Sequence, residues 1–117
     1  MTEREPILDL AALLDSVGGD RELLDELAGT LTAEVPSWIS ELQAAVSSGD
    51  SATVFRVAHG VTGAVGYFKA TGVRQAAAAL EAMGREGKLE KASAALDLLR
   101  GKLLELSAFV SSTPWKQ

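Results

Sequence analysis

The chain has 117 residues, of which 47% are hydrophobic, 5% are aromatic and none is cysteine. Its net charge of −5 argues against a nucleic-acid surface, because such a surface concentrates Lys and Arg to neutralise phosphates. Without cysteine, the chain can form neither a disulfide framework nor a thiolate metal site. The length predicts a single domain, residues 1–117, with a core of mainly Leu, Ala and Val, which favours helices.

The first half of the chain predicts two helices of very different length. A short amphipathic segment, residues 7–17, ends at the glycine pair 18–19. Asp20 is the predicted N-cap of a long second helix, in which apolar residues recur at alternating steps of three and four. Pro36 lies inside this helix, where we expect a kink or a break because proline lacks a backbone donor.

The second half of the chain predicts three more helices with short connections. Gly49 ends the long helix and Asp50 caps the next one. The three helices are predicted to span residues 51–68, from 71 or 72 to 87, and 89–110. The tail, residues 111–117, is predicted to be frayed unless Trp115 folds back onto the helices.

Four long amphipathic helices with short connections predict an all-α fold, an antiparallel up-down-up-down four-helix bundle with the short first helix capping one end. No apolar run reaches the roughly 20 residues that span a bilayer, and the N-terminus lacks a signal-like segment, so we expect a cytoplasmic protein without membrane contact. The sequence has no Glu-x-x-His pair, Gly-x-Ser-x-Gly elbow or P-loop. We therefore expect neither a metal nor a cofactor on this chain.

The only histidine, His59, lies in a helix that three glycines interrupt between residues 60 and 66. Each glycine costs the helix roughly 0.5–1 kcal/mol relative to alanine. At about 100° per residue, Gly63 and Gly66 share the face of His59, whereas the apolar stripe from Val54 to Phe68 faces the other way. The pattern predicts an exposed imidazole on bare backbone, accessible to another protein.

The pair Ala58-His59 is followed four residues later by Gly63, and Leu80-Glu81 and Arg85-Glu86-Gly87 come further downstream. Together these residues resemble the histidine-containing phosphotransfer (HPt) domains of bacterial multistep phosphorelays, and the resemblance covers nearly the whole chain. In that family the histidine accepts a phosphoryl group from an aspartyl phosphate on a response-regulator receiver domain and passes it to another receiver. The resemblance implies that His59 is the phosphoacceptor.

The same resemblance implies receiver domains and a sensor or hybrid histidine kinase as partners. It also implies a phosphocarrier rather than an enzyme, with the Mg²⁺ of the reaction held by the receiver; we expect a monomer. The chemistry is compatible with the residues, because a neutral imidazole keeps a lone pair on one ring nitrogen for attack on phosphorus.

The neighbours of His59 on its helix face are the predicted partner-contacting residues. Gly63, one turn after the histidine, leaves room for the partner's loops, and Gly66 extends the same bare strip. Phe55 is apolar but lies off the apolar stripe, so it is either a docking contact or a residue packed against a neighbouring helix.

Three positions depart from the HPt pattern. Thr62 stands where family members commonly carry a lysine that steadies the phosphoryl group, and Tyr67 and Lys69 replace small or amide residues. Arg56, three residues before His59, either substitutes for the missing cation or is a solvated surface residue.

Three functional hypotheses follow. The chain is a phosphotransfer intermediate acting through His59, or a receiver-binding adaptor or inhibitor that transfers poorly because Thr62 replaces lysine, or an unrelated helical scaffold. Acid-labile phosphate on His59 distinguishes the first from the second, and receiver binding distinguishes both from the third.

Overall fold

The computed structural model describes residues 7–116 and contains five α-helices, with no strand in that part of the chain. They are α1 (Leu10–Ser16), α2 (Arg21–Ser48), α3 (Ser51–Tyr67), α4 (Thr71–Glu86) and α5 (Ala92–Ser111), followed by a 3-10 turn at Pro114–Lys116. The predicted all-α class is confirmed. Residues 1–6 and 117 of the predicted domain lie outside the described residues. Among the described helices, none combines the length and hydrophobicity that a bilayer crossing requires.

The predicted caps at the starts of α2 and α3 are confirmed. The carboxylate of Asp20 accepts a hydrogen bond from the backbone N–H of Leu23 at 3.0 Å. Asp50 accepts bonds from both the hydroxyl and the backbone N–H of Thr53, and these bonds lower the pKa of Asp50 below its ordinary value. Gly49 ends α2 in the left-handed conformation, which glycine adopts without steric cost. The start of α3 is therefore fixed by local interactions.

Helix α2 continues through Pro36, so the break allowed by the sequence does not occur. Pro36 is exposed, and its missing N–H removes only one hydrogen bond of a helix of 28 residues. The flanking residues Leu31, Val35 and Leu42 are at most 3% exposed. Burial of these side chains on both sides of Pro36 holds the helix together, because helical stability in proteins comes mainly from packing.

The four long helices contact one another in a ring: α2 and α4 each contact both α3 and α5. The predicted apolar stripe of α3 faces the interior of this ring, and Val54, Val61 and Val65 are fully buried there. Helix α5 contributes a matching row of Leu96, Leu99, Leu103, Leu106 and Val110. The ring thus encloses an aliphatic core, and the opposite face of α3 points away from it.

The end of the chain up to Lys116 packs on the helices, so the fraying predicted for this tail is not observed in its described part. Trp115 is 1% exposed, and its indole N–H donates a hydrogen bond to Asp25 at 2.8 Å. The ammonium group of Lys116 lies 2.7 Å from the other oxygen of Asp25. These two contacts, led by that of Lys116, hold the pKa of Asp25 below its ordinary value. Burial of the indole and pairing of Asp25 explain why this segment is held; Gln117 lies outside the described residues.

Helices α3 and α4 approach each other to backbone contact at Gly84. A Cβ atom on this residue would lie 2.5 Å from the backbone nitrogen of Phe55 and 2.9 Å from its Cα atom. Real Cβ atoms do not come this close, and backbone atoms cannot give way as a flexible side chain can. Only glycine therefore fits at this crossing.

We expect Gly84→Ala to lower the free energy of unfolding by roughly 1–3 kcal/mol, because overpacking forces backbone shifts. Gly63→Ala is the matched control on α3, since a Cβ there would meet no atom within 4 Å. It should raise stability by up to about 1 kcal/mol through helix propensity. Urea unfolding of both variants measures the two effects; equal changes would contradict the close contact at Gly84.

Candidate functional site

His59 lies on the face of α3 that points away from the core, and its side chain is 70% exposed. Its neighbours along the chain, Val57 and Ala58, are buried at 5% and 0% exposure, so the helix turns its apolar side away from the histidine. The exposed position predicted for His59 is therefore observed. An imidazole in this position is accessible to a protein partner.

Glu81 of α4 is the carboxylate that meets His59. Its Oε2 atom lies 3.4 Å from Nδ1 of His59 and accepts a hydrogen bond from Nη2 of Arg85 at 2.8 Å. Only 12% of the Glu81 side chain is exposed, and a buried carboxylate is costly unless it is paired. A carboxylate facing Nδ1 favours the tautomer protonated at that atom, which leaves the lone pair on Nε2. The arrangement therefore leaves Nε2 as the ring atom whose lone pair can attack an electrophile.

Phe55 lies one turn before His59, and its ring stacks on the imidazole with centroids 5.8 Å apart and planes inclined by 19°. The guanidinium carbon of Arg85 lies 5.6 Å from the centroid of the Phe55 ring, a distance typical of cation–π contacts. Phe55 is half-buried, so it packs against its neighbours and still presents a surface. Its role in partner docking stays a prediction.

The glycine strip, which we define as Gly63 and Gly66, lies on the C-terminal side of His59. A Cβ on Gly63 would meet no atom within 4 Å, whereas one on Gly66 would lie 3.3 Å from Cδ of Arg74. The hydroxyl of Thr62 donates a 2.9 Å hydrogen bond to the carbonyl of Ala58, within the helix. Space beside the histidine is open at Gly63, and Arg74 lies across Gly66.

The structure pairs Arg56 with α2. Its Nη2 atom lies 3.6 Å from Oε2 of Glu41, and both side chains are at least half exposed. Such a surface pair is worth about 0–1 kcal/mol. The cation linked to His59 is instead Arg85, because Arg85 and His59 both contact Oε2 of Glu81.

Glu81 and Arg85 belong to the sequence pattern that resembles HPt domains, but the sequence analysis predicted no contact of either residue with His59. The sequence did contain a signal that Glu81 is buried, because Glu81 follows Ala77 by one helical turn and lies next to Leu80 on the apolar side of α4. A charged residue on a buried face is the informative exception. Across residues 7–116, no group of three His, Asp or Glu residues is close enough together to hold a metal ion.

Comparison with known proteins agrees with this geometry. The family model described as "Hpt domain" matches residues 26–109 of the chain. The chain belongs to the Hpt domain family. The resemblance inferred from the sequence is confirmed, and the chain is a phosphotransfer protein of phosphorelays, a class of phosphocarrier modules.

Among solved structures, the chain is similar to the histidine-containing phosphotransfer protein B (HptB) from Pseudomonas aeruginosa PAO1. The TM-score is 0.85 at 20% sequence identity, and the match covers 93% of this chain and 95% of that chain. At this identity the likeness shows a shared fold. No curated protein sequence matches the chain.

We expect Glu81→Leu to slow phosphorylation of His59 by at least about tenfold, because a misplaced reacting group can cost 100-fold in rate. Glu86→Leu is the matched control, since Glu86 is an exposed carboxylate on the same helix. Imidazole ¹⁵N chemical shifts report the tautomer of His59 in each variant. A purely structural role would leave the tautomer unchanged in a folded Glu81→Leu protein, and that result would contradict the proposed positioning.

Proposed function

We propose that this chain is a phosphorelay intermediate that accepts a phosphoryl group on His59 from an aspartyl phosphate of one receiver domain and passes it to another. The supporting observation is an exposed imidazole whose Nδ1 faces a largely buried carboxylate at 3.4 Å. The Hpt family model covers both residues of this pair.

The proposed transfer needs no base on this chain. The lone pair on Nε2 attacks phosphorus, the bond between phosphorus and the aspartate oxygen breaks, and the aspartate leaves as a carboxylate. The ring then carries phosphorus on Nε2 and a proton on Nδ1, so it gains a positive charge that Glu81 stabilises at short range. Transfer to the next receiver reverses these steps. We assign the Mg²⁺ of the reaction to the receiver, and to this chain the positioned nucleophile.

We further propose that the receiver docks over the face that holds His59, Phe55, Thr62 and the glycine strip. Open space at Gly63 supports this placement, because a side chain there would stand beside the nucleophile. A sensor or hybrid histidine kinase would start the relay. We infer a monomeric, cytoplasmic protein, with the long helices alternating in direction and α1 covering one end of an up-down-up-down bundle.

A receiver-binding adaptor or inhibitor with weak transfer is the second candidate function. Two observations favour it: Thr62 supplies no cation and its hydroxyl is bonded to Ala58, and Arg56 is paired with Glu41. In that case the docking face is kept while the phosphoryl group gains little stabilisation from this chain.

We expect His59→Gln to abolish phosphoryl uptake while the fold is kept, because residue 59 is exposed. The experiment incubates wild type and variant with phosphorylated receiver domains, measures acid-labile label, and checks helical content by circular dichroism. Label on the folded variant would refute His59 as the acceptor. A wild type that binds receivers but takes up no label would establish the adaptor function instead.

We expect Thr62→Lys to raise the rate of phosphorylation by up to about fivefold at low salt, because an exposed cation contributes about 0–1 kcal/mol. Arg56→Ala should leave the rate unchanged, since Arg56 pairs with Glu41 in α2. Transfer from one phosphorylated receiver is followed at two salt concentrations. A slower Arg56→Ala protein would show that Arg56 leaves Glu41 during transfer and substitutes for the missing lysine.

A further inference from the structure

A groove of about 580 Å³ opens beside the glycine strip. Thr62 and the glycine strip of α3 line this groove, together with Lys69 in the connection between α3 and α4 and Arg74 in the first turn of α4. Because Thr62 and Gly63 also lie one turn from His59, the groove is continuous with the face that holds the nucleophile. We call it the cationic groove.

The charge of the groove is opposite to that of the chain. Lys69 and Arg74 are both exposed, and neither forms an ion pair with a carboxylate of residues 7–116. The one carboxylate in the lining, Asp9, accepts a hydrogen bond from the backbone N–H of Ala12 and so serves as the N-cap of α1. A chain of net charge −5 thus presents, beside the glycine strip, two exposed cations that pair with no carboxylate of residues 7–116.

Lys69 is held in a conformation that glycine adopts more easily. Its φ is 59°, and it follows α3 at the position where the N–H groups of residues 69 and 70 bond back to Gly66 and Val65. This is the helix-ending motif in which glycine is usual, because a Cβ is strained there. Strain retained beside a candidate site points to a use for the side chain. Here that side chain adds a positive charge to the groove.

We propose that the cationic groove receives an acidic segment of the receiver domain that docks on His59, with Arg74 and Lys69 contacting its carboxylates. This inference rests on the proposed function. Charges at the edge of an interface act on the association rate and on the choice of partner more than on the chemical step. Arg74 and Lys69 are therefore partner-selecting residues and do not touch the transferring phosphoryl group.

The test begins with receiver domains from the same genome, each phosphorylated with a small-molecule phosphodonor. The receiver that transfers its phosphoryl group fastest to the wild-type chain is used for all measurements. We expect Arg74→Glu and Lys69→Glu each to lower its association rate constant by about tenfold at low salt, with the difference shrinking at high salt. Arg100→Glu is the matched control, an exposed cation on α5, across the helix ring from α3. In the Arg74 and Lys69 variants, only association should slow, and the rate of transfer within the complex, measured at saturating receiver, should equal that of wild type.

Two further variants separate binding from stability. Lys69→Gly should raise the unfolding midpoint, because glycine relieves the strain, and yet weaken receiver association. A carboxylate-to-Lys substitution in the receiver should restore association with Arg74→Glu. Circular dichroism confirms that each variant is folded, and Arg74→Gln replaces Arg74→Glu if the latter is not.

Each outcome is decisive. Normal transfer with unchanged association of the Arg74 and Lys69 variants would overturn the groove proposal and leave the phosphorelay function intact. Absence of label on wild-type His59 with charge-dependent receiver binding would overturn phosphotransfer and keep the groove. Neither binding nor label with any receiver would overturn both.

Discussion

The contact between α3 and α4 at Gly84 sets the geometry of the site. Because Gly84 has no side chain, the backbone of α4 lies directly against Phe55. One turn earlier on α4 lies Glu81, and one turn later on α3 lies His59, so the close crossing brings these two side chains to 3.4 Å. A side chain at residue 84 would separate the helices and lengthen that contact. The orientation of His59, the proposed nucleophile, therefore depends on a glycine that does not touch it.

The buried carboxylate links stability to chemistry. Glu81 is 9% exposed, and its charge is acceptable inside the protein because Arg85 donates a 2.8 Å hydrogen bond to it. The oxygen that Arg85 binds is also the one that faces Nδ1 of His59. In the proposed transfer the imidazole gains positive charge, and the carboxylate is already in place and needs no reorganisation. The pairing that makes Glu81 tolerable in the folded protein thus also prepares the site.

Local signals in the sequence predicted the helices, the caps at Asp20, Gly49 and Asp50 and the exposed face of His59, because each depends on residues within a few positions. Contacts between helices were not predictable in the same way. A helical wheel gives the angle of a side chain and not the distance to the next helix, so the partnership of Glu81 with His59 and the Gly84 contact were missed. The continuity of α2 at Pro36 likewise depends on tertiary packing, which overrides a local cost. The burial of Trp115 depends on Asp25, 90 residues away.

The surroundings of His59 differ on its two sides. Toward the start of α3, Phe55 stacks on the imidazole and Arg85 lies over the Phe55 ring. Toward its end, the glycine strip leads to the cationic groove. Arg56 shows why position on one helix is not enough, since it shares the histidine's side of α3 and yet pairs with Glu41 of α2. Contacts that orient the imidazole must persist through the reaction, whereas contacts that select a partner must form and break. Rigid, half-buried groups suit the first task and exposed cations the second. The proposed function therefore places orientation of His59 and recognition of the partner at different positions along a single helix face.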